Sequence, residues 1–183
     1  MVEAVGFVIR TGGMADLPAL EWEGEYFRYR AVYRAALEAA ERGERALLVA
    51  EVDGQVVGQI FIHFVSPWPI PGSIAPTGYL YAFRVRPEYR GRGIGQALLQ
   101  EAENLLEAAG AAHAVIAVAR DNLEARRLYE RRGYSWLADD PGHWTYMDAH
   151  GATRHVHEAA YLLVKTLTPY PSPGPGAREK GRG

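Results

Sequence analysis

Tyr79-Leu80-Tyr81-Ala82-Phe83-Arg84-Val85, followed by the basic turn Arg86 to Arg92 and then by Gly93-Ile94-Gly95, is the stretch whose reading decides the fold. The seven residues from Tyr79 read as a buried strand. The glycines open a helix that runs to Ala109, with Leu98, Ala102, Leu105 and Ala109 on one stripe, Leu99 and Leu106 beside it, and Gly110 as its stop. A strand that feeds a glycine-rich turn at a helix N-terminus is a place to hold phosphate. The first-turn N–H groups have no partner within the helix, and the helix dipole favours negative charge there. Four arginines (Arg84, Arg86, Arg90 and Arg92) crowd the same stretch. It is therefore expected to be a pyrophosphate cradle, with the rest of the chain positioning a substrate beside it.

The bulk properties bound what that rest can be. With 183 residues, one domain is the default and a sizeable core is affordable. Hydrophobic residues at 48% and charged residues at 23% are those of a soluble globular chain. A net charge of −2 and a pI near 6.3 disfavour nucleic-acid binding through overall charge, so the arginines are a local feature. The absence of cysteine excludes disulfides, thiolate metal sites and cysteine nucleophiles, and no metal site is expected. Met1 to Arg10 lacks the charged and apolar regions of a signal peptide. No apolar run approaches the roughly 18–20 residues that cross a bilayer. A cytoplasmic protein without membrane partners is the expectation.

Working outward from the central stretch, Val5 to Arg10 reads as a first strand closed by Thr11-Gly12-Gly13. Asp16 before Leu17-Pro18 resembles a helix N-cap. Tyr26, Tyr29, Tyr33, Ala36, Leu37 and Ala40 mark one face of a helix from Glu25 to Arg42, with a break near Gly24. Arg45–Val52 and Val56–Val65 are apolar runs joined by Asp53-Gly54, a strong hairpin signal of type I′. The proline-rich loop from Ser66 to Gly78 is expected to lean over a pocket. Beyond Gly110, His113–Val118 is a strand, and Asp121-Asn122 caps a helix that ends at Gly133. Tyr134–Leu137, Trp144–Met147 and Ala159–Lys165 are extended, with a turn at Asp139-Asp140-Pro141-Gly142. The order implies an α/β (α+β) fold with a mixed central sheet of about seven strands flanked by helices. Residues 168–183, rich in proline and glycine, are expected to be a disordered tail after a domain spanning 1–167.

The glycine turn matches some phosphate motifs and not others. A dinucleotide fingerprint from Gly91 fails because position 96 is Gln and no acidic residue follows about twenty residues on. A Walker loop fails for want of Gly-Lys-Ser/Thr. A turn built only for tightness leaves the arginines unexplained. The pattern Arg90-x-x-Gly93-x-Gly95, after a strand ending Val85-Arg86-Pro87, resembles the acyl-coenzyme A signature of the GNAT superfamily of N-acetyltransferases. Asn122, Ala125, Leu128, Tyr129 and Gly133-Tyr134 are similar to that family's second motif, in the right order and spacing.

The resemblance implies a fold in which the strand at Tyr79–Val85 splays from the one at His113–Val118, with coenzyme A in the opening. Backbone at Phe83 and Val85 would bond the pantetheine arm. The pyrophosphate would rest on the N–H groups of Arg90, Gly91, Arg92, Gly93, Ile94 and Gly95, with arginine side chains such as Arg84 adding charge. A Cβ at Gly93 or Gly95 would block that approach. Acetyl-CoA would be the co-substrate, attacked directly by an amine. Tyr129 is the matched general acid, and Asn122 either touches the cofactor arm or only caps its helix. The glutamate that some relatives carry before the second motif aligns with Ala117, so the base is open. Candidates are His63, Glu21, Glu23, Glu25 or a water relayed by Tyr81; an amine already deprotonated needs none. Trp22, Tyr26, Trp68, Trp136 and Trp144, with acidic neighbours, would suit a small amine acceptor. A homodimer is left open. The alternative function is a non-catalytic module of the same fold that senses coenzyme A or another ligand.

Overall fold

The computed structural model describes residues 6–167, so the expected tail lies outside the described residues. The chain begins with β1 (Val8–Thr11), followed by single 3-10 turns at Met14–Asp16, Ala19–Glu21 and Phe27–Tyr29, and then α1 (Arg30–Glu41). The hairpin β2 (Arg45–Val52) and β3 (Gln55–His63) comes next, then β4 (Thr77–Val85) and α2 (Ile94–Ala108). β5 (His113–Ala119), α3 (Leu123–Arg131), β6 (Ser135–Asp140), β7 (His143–Met147), β8 (Thr153–His157) and β9 (Ala160–Thr166) complete it. Seven strands form one mixed sheet in the order β1-β2-β3-β4-β5-β9-β6, and β7 with β8 forms a separate ribbon. Only β4 and β5 pair in parallel within it.

Side-chain alternation on the strands sends residues to two cores. Leu48, Ala50, Ile60, Ile62, Leu80 and Ile116 pack beneath α2 through Leu98, Leu99, Ala102 and Leu106. Leu47, Val49 and Phe61 pack on the opposite face against Leu37 and Tyr33 of α1 and against Leu17 and Leu20. Each fully buried aliphatic side chain contributes roughly 1.5–3 kcal/mol relative to exposure. The Asp53-Gly54 turn has φ of 48° and 78°, the two positive values that a type I′ hairpin requires.

Three segments differ from the sequence reading. Asp16 does not cap a helix at Leu17; it ends a 3-10 turn, and its carboxylate accepts from Gly13 N and from both terminal nitrogens of Arg10. The Glu25–Arg42 helix starts only at Arg30, because Trp22, Glu23 and Gly24 all turn left-handed and the chain re-enters through Phe27–Tyr29. Strain at Trp22 and Glu23 is offset by the Glu23 carboxylate accepting both Arg86 terminal nitrogens at 2.8 Å, with Arg86 lying over the Trp22 ring. Late in the chain, β6 runs on through Asp139 and Asp140, and Thr153–His157 forms a strand that alternation alone did not single out. The β7–β8 ribbon leaves the main sheet and packs Trp144 and Tyr146 on Tyr29, with ring centroids 6.2 and 4.9 Å apart.

Candidate active site

β4 pairs with β5 only from Thr77 to Leu80, opposite His113 to Ile116; beyond that point the two strands part. The cause lies in β4 itself. Gln59 of β3 opposes Arg84 while Phe61 opposes Tyr81, so β4 carries one extra residue between them. Ala82 takes φ +47°, a left-handed conformation that costs a non-glycine residue about 1–2 kcal/mol. The fully buried Gln59 donates its Nε2 to Ala82 O at 3.3 Å and so holds the kink.

Two cavities open at this split. One of about 290 Å³ lies in the split and is lined by Tyr81 to Arg84 on one side and by Ile116 to Ala119 on the other. A larger one of about 710 Å³ continues past Phe83 and Val85 to Arg90, Gly91, Gly93 and Gly95. The two share Asn122, Ala125 and Tyr129 of the α3 region. At its far end, Gly93 is the N-cap of α2 with φ +83°, and no side chain caps that terminus. The first helical N–H bonded along the chain is that of Ala97, to Gly93 O, so those of Ile94, Gly95 and Gln96 are left to a ligand or water.

Gly93 is needed for its left-handed backbone, since a Cβ there would meet no protein atom. A Cβ on Gly95 would make only ordinary contacts with Phe83, Val85 and Leu128, but it would stand in the cleft. Ile94 gives the turn its N–H alone, because its side chain is sealed in the core. The turn from Arg90 to Gln96 itself carries two arginines and no acid, and with its free N–H groups it suits a phosphorylated ligand.

The arginines divide. Arg90 lines the large cavity and donates Nε to Val85 O at 3.0 Å; Arg92 lies exposed over the Tyr89 ring. Arg84 and Arg86 do not crowd the turn. The Arg84 guanidinium sits 3.8 Å over the Tyr26 ring and donates to the Tyr33 hydroxyl, and Arg86 is spent on Glu23. Arg84 therefore forms part of the wall facing α1.

Tyr129 is buried on α3 with its ring 6.2 Å from that of Phe83, and it lines both cavities. Burial, reinforced by Tyr79, pushes its phenol well above the ordinary value, so it stays protonated at neutral pH and can act as an acid. Asn122 Oδ1 accepts from Ala125 N at 3.1 Å and caps α3, which leaves its amide nitrogen at the cavity.

The candidate bases fare unequally. His63 ends β3 opposite Tyr79, at the loop end of the strand, and lines neither cavity; burial and Arg45 push its pKa down. Glu21 is buried and doubly bonded to Arg30, and Glu23 is tied to Arg86. Tyr81 does line the split, with its hydroxyl accepting from Arg45 Nη1 at 2.7 Å. The proline-rich loop does not lean over the cleft, because it joins β4 at Thr77, the end opposite the split. Trp68 and Trp136 are likewise absent from its lining, whereas Tyr26 is present. Sequence reasoning missed Arg28, Arg131 and Glu158, which line the cleft from three separate segments. Among the described residues, no group of three or more His, Asp or Glu could hold a metal ion, and no helix is long and apolar enough to cross a membrane.

Solved structures share this architecture. The ribosomal-protein-S18-alanine N-acetyltransferase of Escherichia coli superposes with a TM-score of 0.66 at 18% identity, covering 89% of this chain and 95% of that one. Salmonella typhimurium yncA, solved with its cofactor acetyl-CoA, gives 0.67 at 19% identity over 91% and 97%. The PaiA N-acetyltransferase of Thermoplasma acidophilum, in complex with coenzyme A, gives 0.64 at 16% identity over 88% and 99%. Such identities speak for the fold alone. Residues 13–134 also match the acetyltransferase (GNAT) family, a span that takes in both the glycine turn and Tyr129. The chain belongs to the acetyltransferase (GNAT) family.

Proposed function

We propose that this protein transfers an acetyl group from acetyl-CoA to the primary amine of a small acceptor by direct attack. One observation carries the reading: a continuous cleft joins an uncapped helix N-terminus to a strand split where a protonated, buried tyrosine waits. Coenzyme A and acetyl-CoA in two structures of the same fold support the choice of donor. The Arg90 N–H is taken by Pro87 O at 3.2 Å, so the pyrophosphate is held by the N–H groups from Gly91 to Gln96 and by the Arg90 guanidinium, the pantetheine by backbone at Phe83 and Val85 and by Asn122. The amine nitrogen attacks the thioester carbonyl carbon, the C–S bond breaks, and Tyr129 protonates the departing thiolate. Tyr26, Tyr29 and Arg84 form the acceptor wall, with Trp144 and Tyr146 packed behind Tyr29. Residues 1–167 form the working domain.

The test is a melting curve with millimolar acetyl-CoA, followed by a thiol-release screen against amino acids, polyamines, aminoglycosides and peptides. A raised Tm together with turnover on one class is expected. No shift in Tm refutes the donor; a shift with no turnover favours a ligand sensor.

A further inference from the structure

We infer that Glu158 is the carboxylate that receives the acceptor ammonium and removes its proton, an assignment that rests on the acetyltransferase reading above. Among the described residues, Glu158 is the only acid lining the split cavity, and it lines the larger cleft as well. Among the described residues its carboxylate has no hydrogen-bond or ion-pair partner. The other candidate acids are engaged or elsewhere, and Glu25, also a candidate from the sequence, lines neither cavity. Glu21 and Glu23 hold arginines, Asp139 pairs with Arg120, Asp148 with Arg154, and Asp140 accepts from Gly142 N. Glu124 lines only the larger cleft.

The position of Glu158 is built into the backbone. It ends the ribbon and enters β9, which pairs with β5 up to Ala119 opposite Ala160. Arg120 N donates to Ala159 O, and Glu158 N donates to Gly142 O at 3.0 Å. Gly142 has φ +71°, and a Cβ there would collide with the Glu158 carbonyl, so only glycine permits this close crossing. The residue is thus pinned beside the end of β5, the strand whose Ala117 leaves that wall of the cavity without an ionisable group.

The proton balance closes. Glu158 takes one proton from the ammonium and passes it to solvent. The neutral amine forms the C–N bond as the C–S bond breaks. The second nitrogen proton leaves as the amide forms and restores Tyr129, which has protonated the thiolate. The products are amide, free thiol and one proton.

The experiment compares wild type, Glu158→Gln and Glu158→Asp in thiol release from acetyl-CoA with tyramine, spermidine and ethanolamine as acceptors. Because the side chain is exposed, all three should fold, and acetyl-CoA should raise their Tm equally. Glu158→Gln should lose about 10²-fold or more in turnover at pH 7. The deficit should shrink as rising pH deprotonates the amine in solution, and Glu158→Asp should fall between. Equal turnover of Glu158→Gln and wild type at every pH would overturn the assignment, as would a deficit that does not change with pH. Acetyl-CoA binding without turnover on any of the three amines would also count against it. A wild type that acetyl-CoA does not stabilise refutes instead the reading on which it rests.

Discussion

Replacing Tyr129 by Phe removes one oxygen and leaves the packing in place. The ring lies against Phe83 and Tyr134, with centroids 6.2 and 6.0 Å away, and those contacts survive. The hydroxyl makes no hydrogen bond to another described residue and, unlike that of Tyr134, is not sealed off without a partner. Its removal should therefore change stability by less than about 1 kcal/mol, a shift in Tm of no more than about 2–4 °C. The effect on turnover should be far larger. General acid catalysis is worth about 10²–10⁴-fold. An alkyl thiol ionises near pH 8.5, so its thiolate departs with modest help, and a loss of about 10²-fold at pH 7 is the expected value. Thiol release measures turnover, and the acetyl-CoA-dependent rise in Tm measures binding, which should match wild type. Turnover equal to wild type from pH 6 to 9 would refute the acid role. A lost thermal shift would mean that the hydroxyl serves binding instead.

Other consequences follow from the same geometry. Tyr79, pushed up to about 12 chiefly by burial, keeps its proton in the folded state at pH values where the unfolded chain, near 10, has lost it. Its contribution is complete below pH 10 and is lost as pH rises through about 12, a decline on the order of 2–3 kcal/mol. Urea midpoints at pH 9 and 11.5 should show the decline, and Tyr79→Phe should show less of it; equal slopes would disprove the assignment. Gln59→Leu removes the bond to Ala82 O and should cost about 1 kcal/mol together with a several-fold weaker acetyl-CoA titration; unchanged affinity would mean that strand pairing alone holds the kink. Lys165→Met strands the buried Glu103, now 2.6 Å from Lys165 Nζ, with only Arg132 at 3.9 Å. Removing one partner of a buried pair costs about 3–5 kcal/mol, and partial rescue by Arg132 puts the expected loss, read by urea denaturation, at the lower end. A loss under about 1 kcal/mol would show the pair to be solvated.

Much of this was legible because regular elements announce themselves. The Asp53-Gly54 hairpin, helix α2 and the glycine turn are local patterns that stand where the sequence put them, although the buried face of α2 is Leu98, Leu99, Ala102 and Leu106, with Leu105 at its margin and Ala109 exposed beyond its end. The departures are non-local. Nothing in Thr153–His157 marks it as a strand until it has β7 to pair with. Nothing in Trp22-Glu23-Gly24 foretells three left-handed residues, because what sustains them is Arg86, sixty-three residues from Glu23. Glu158 escaped for the same reason: it matters only through the split between two distant strands and the crossing at Gly142.

The misplacement of Arg84 shows how one extra residue governs the site. Leu80 packs beneath α2, so unbroken alternation would carry Ala82, Arg84 and Arg86 to the same face, beside the glycine turn. The kink at Ala82 reverses this. Tyr81 and Ala82 both face the α1 core, Phe83 and Val85 turn to α2, and Arg84 goes over to Tyr26 and Tyr33. The same residue ends the pairing with β5 and so opens the split. Opening and inversion are thus one event. It leaves Phe83 and Val85 as the apolar walls beside α2, puts Phe83 against the Tyr129 ring, and lends a cation to the aromatic wall on the other side. Without the extra residue, the two strands could pair to their ends, and Arg84 and Arg86 would face the turn with no cleft between them.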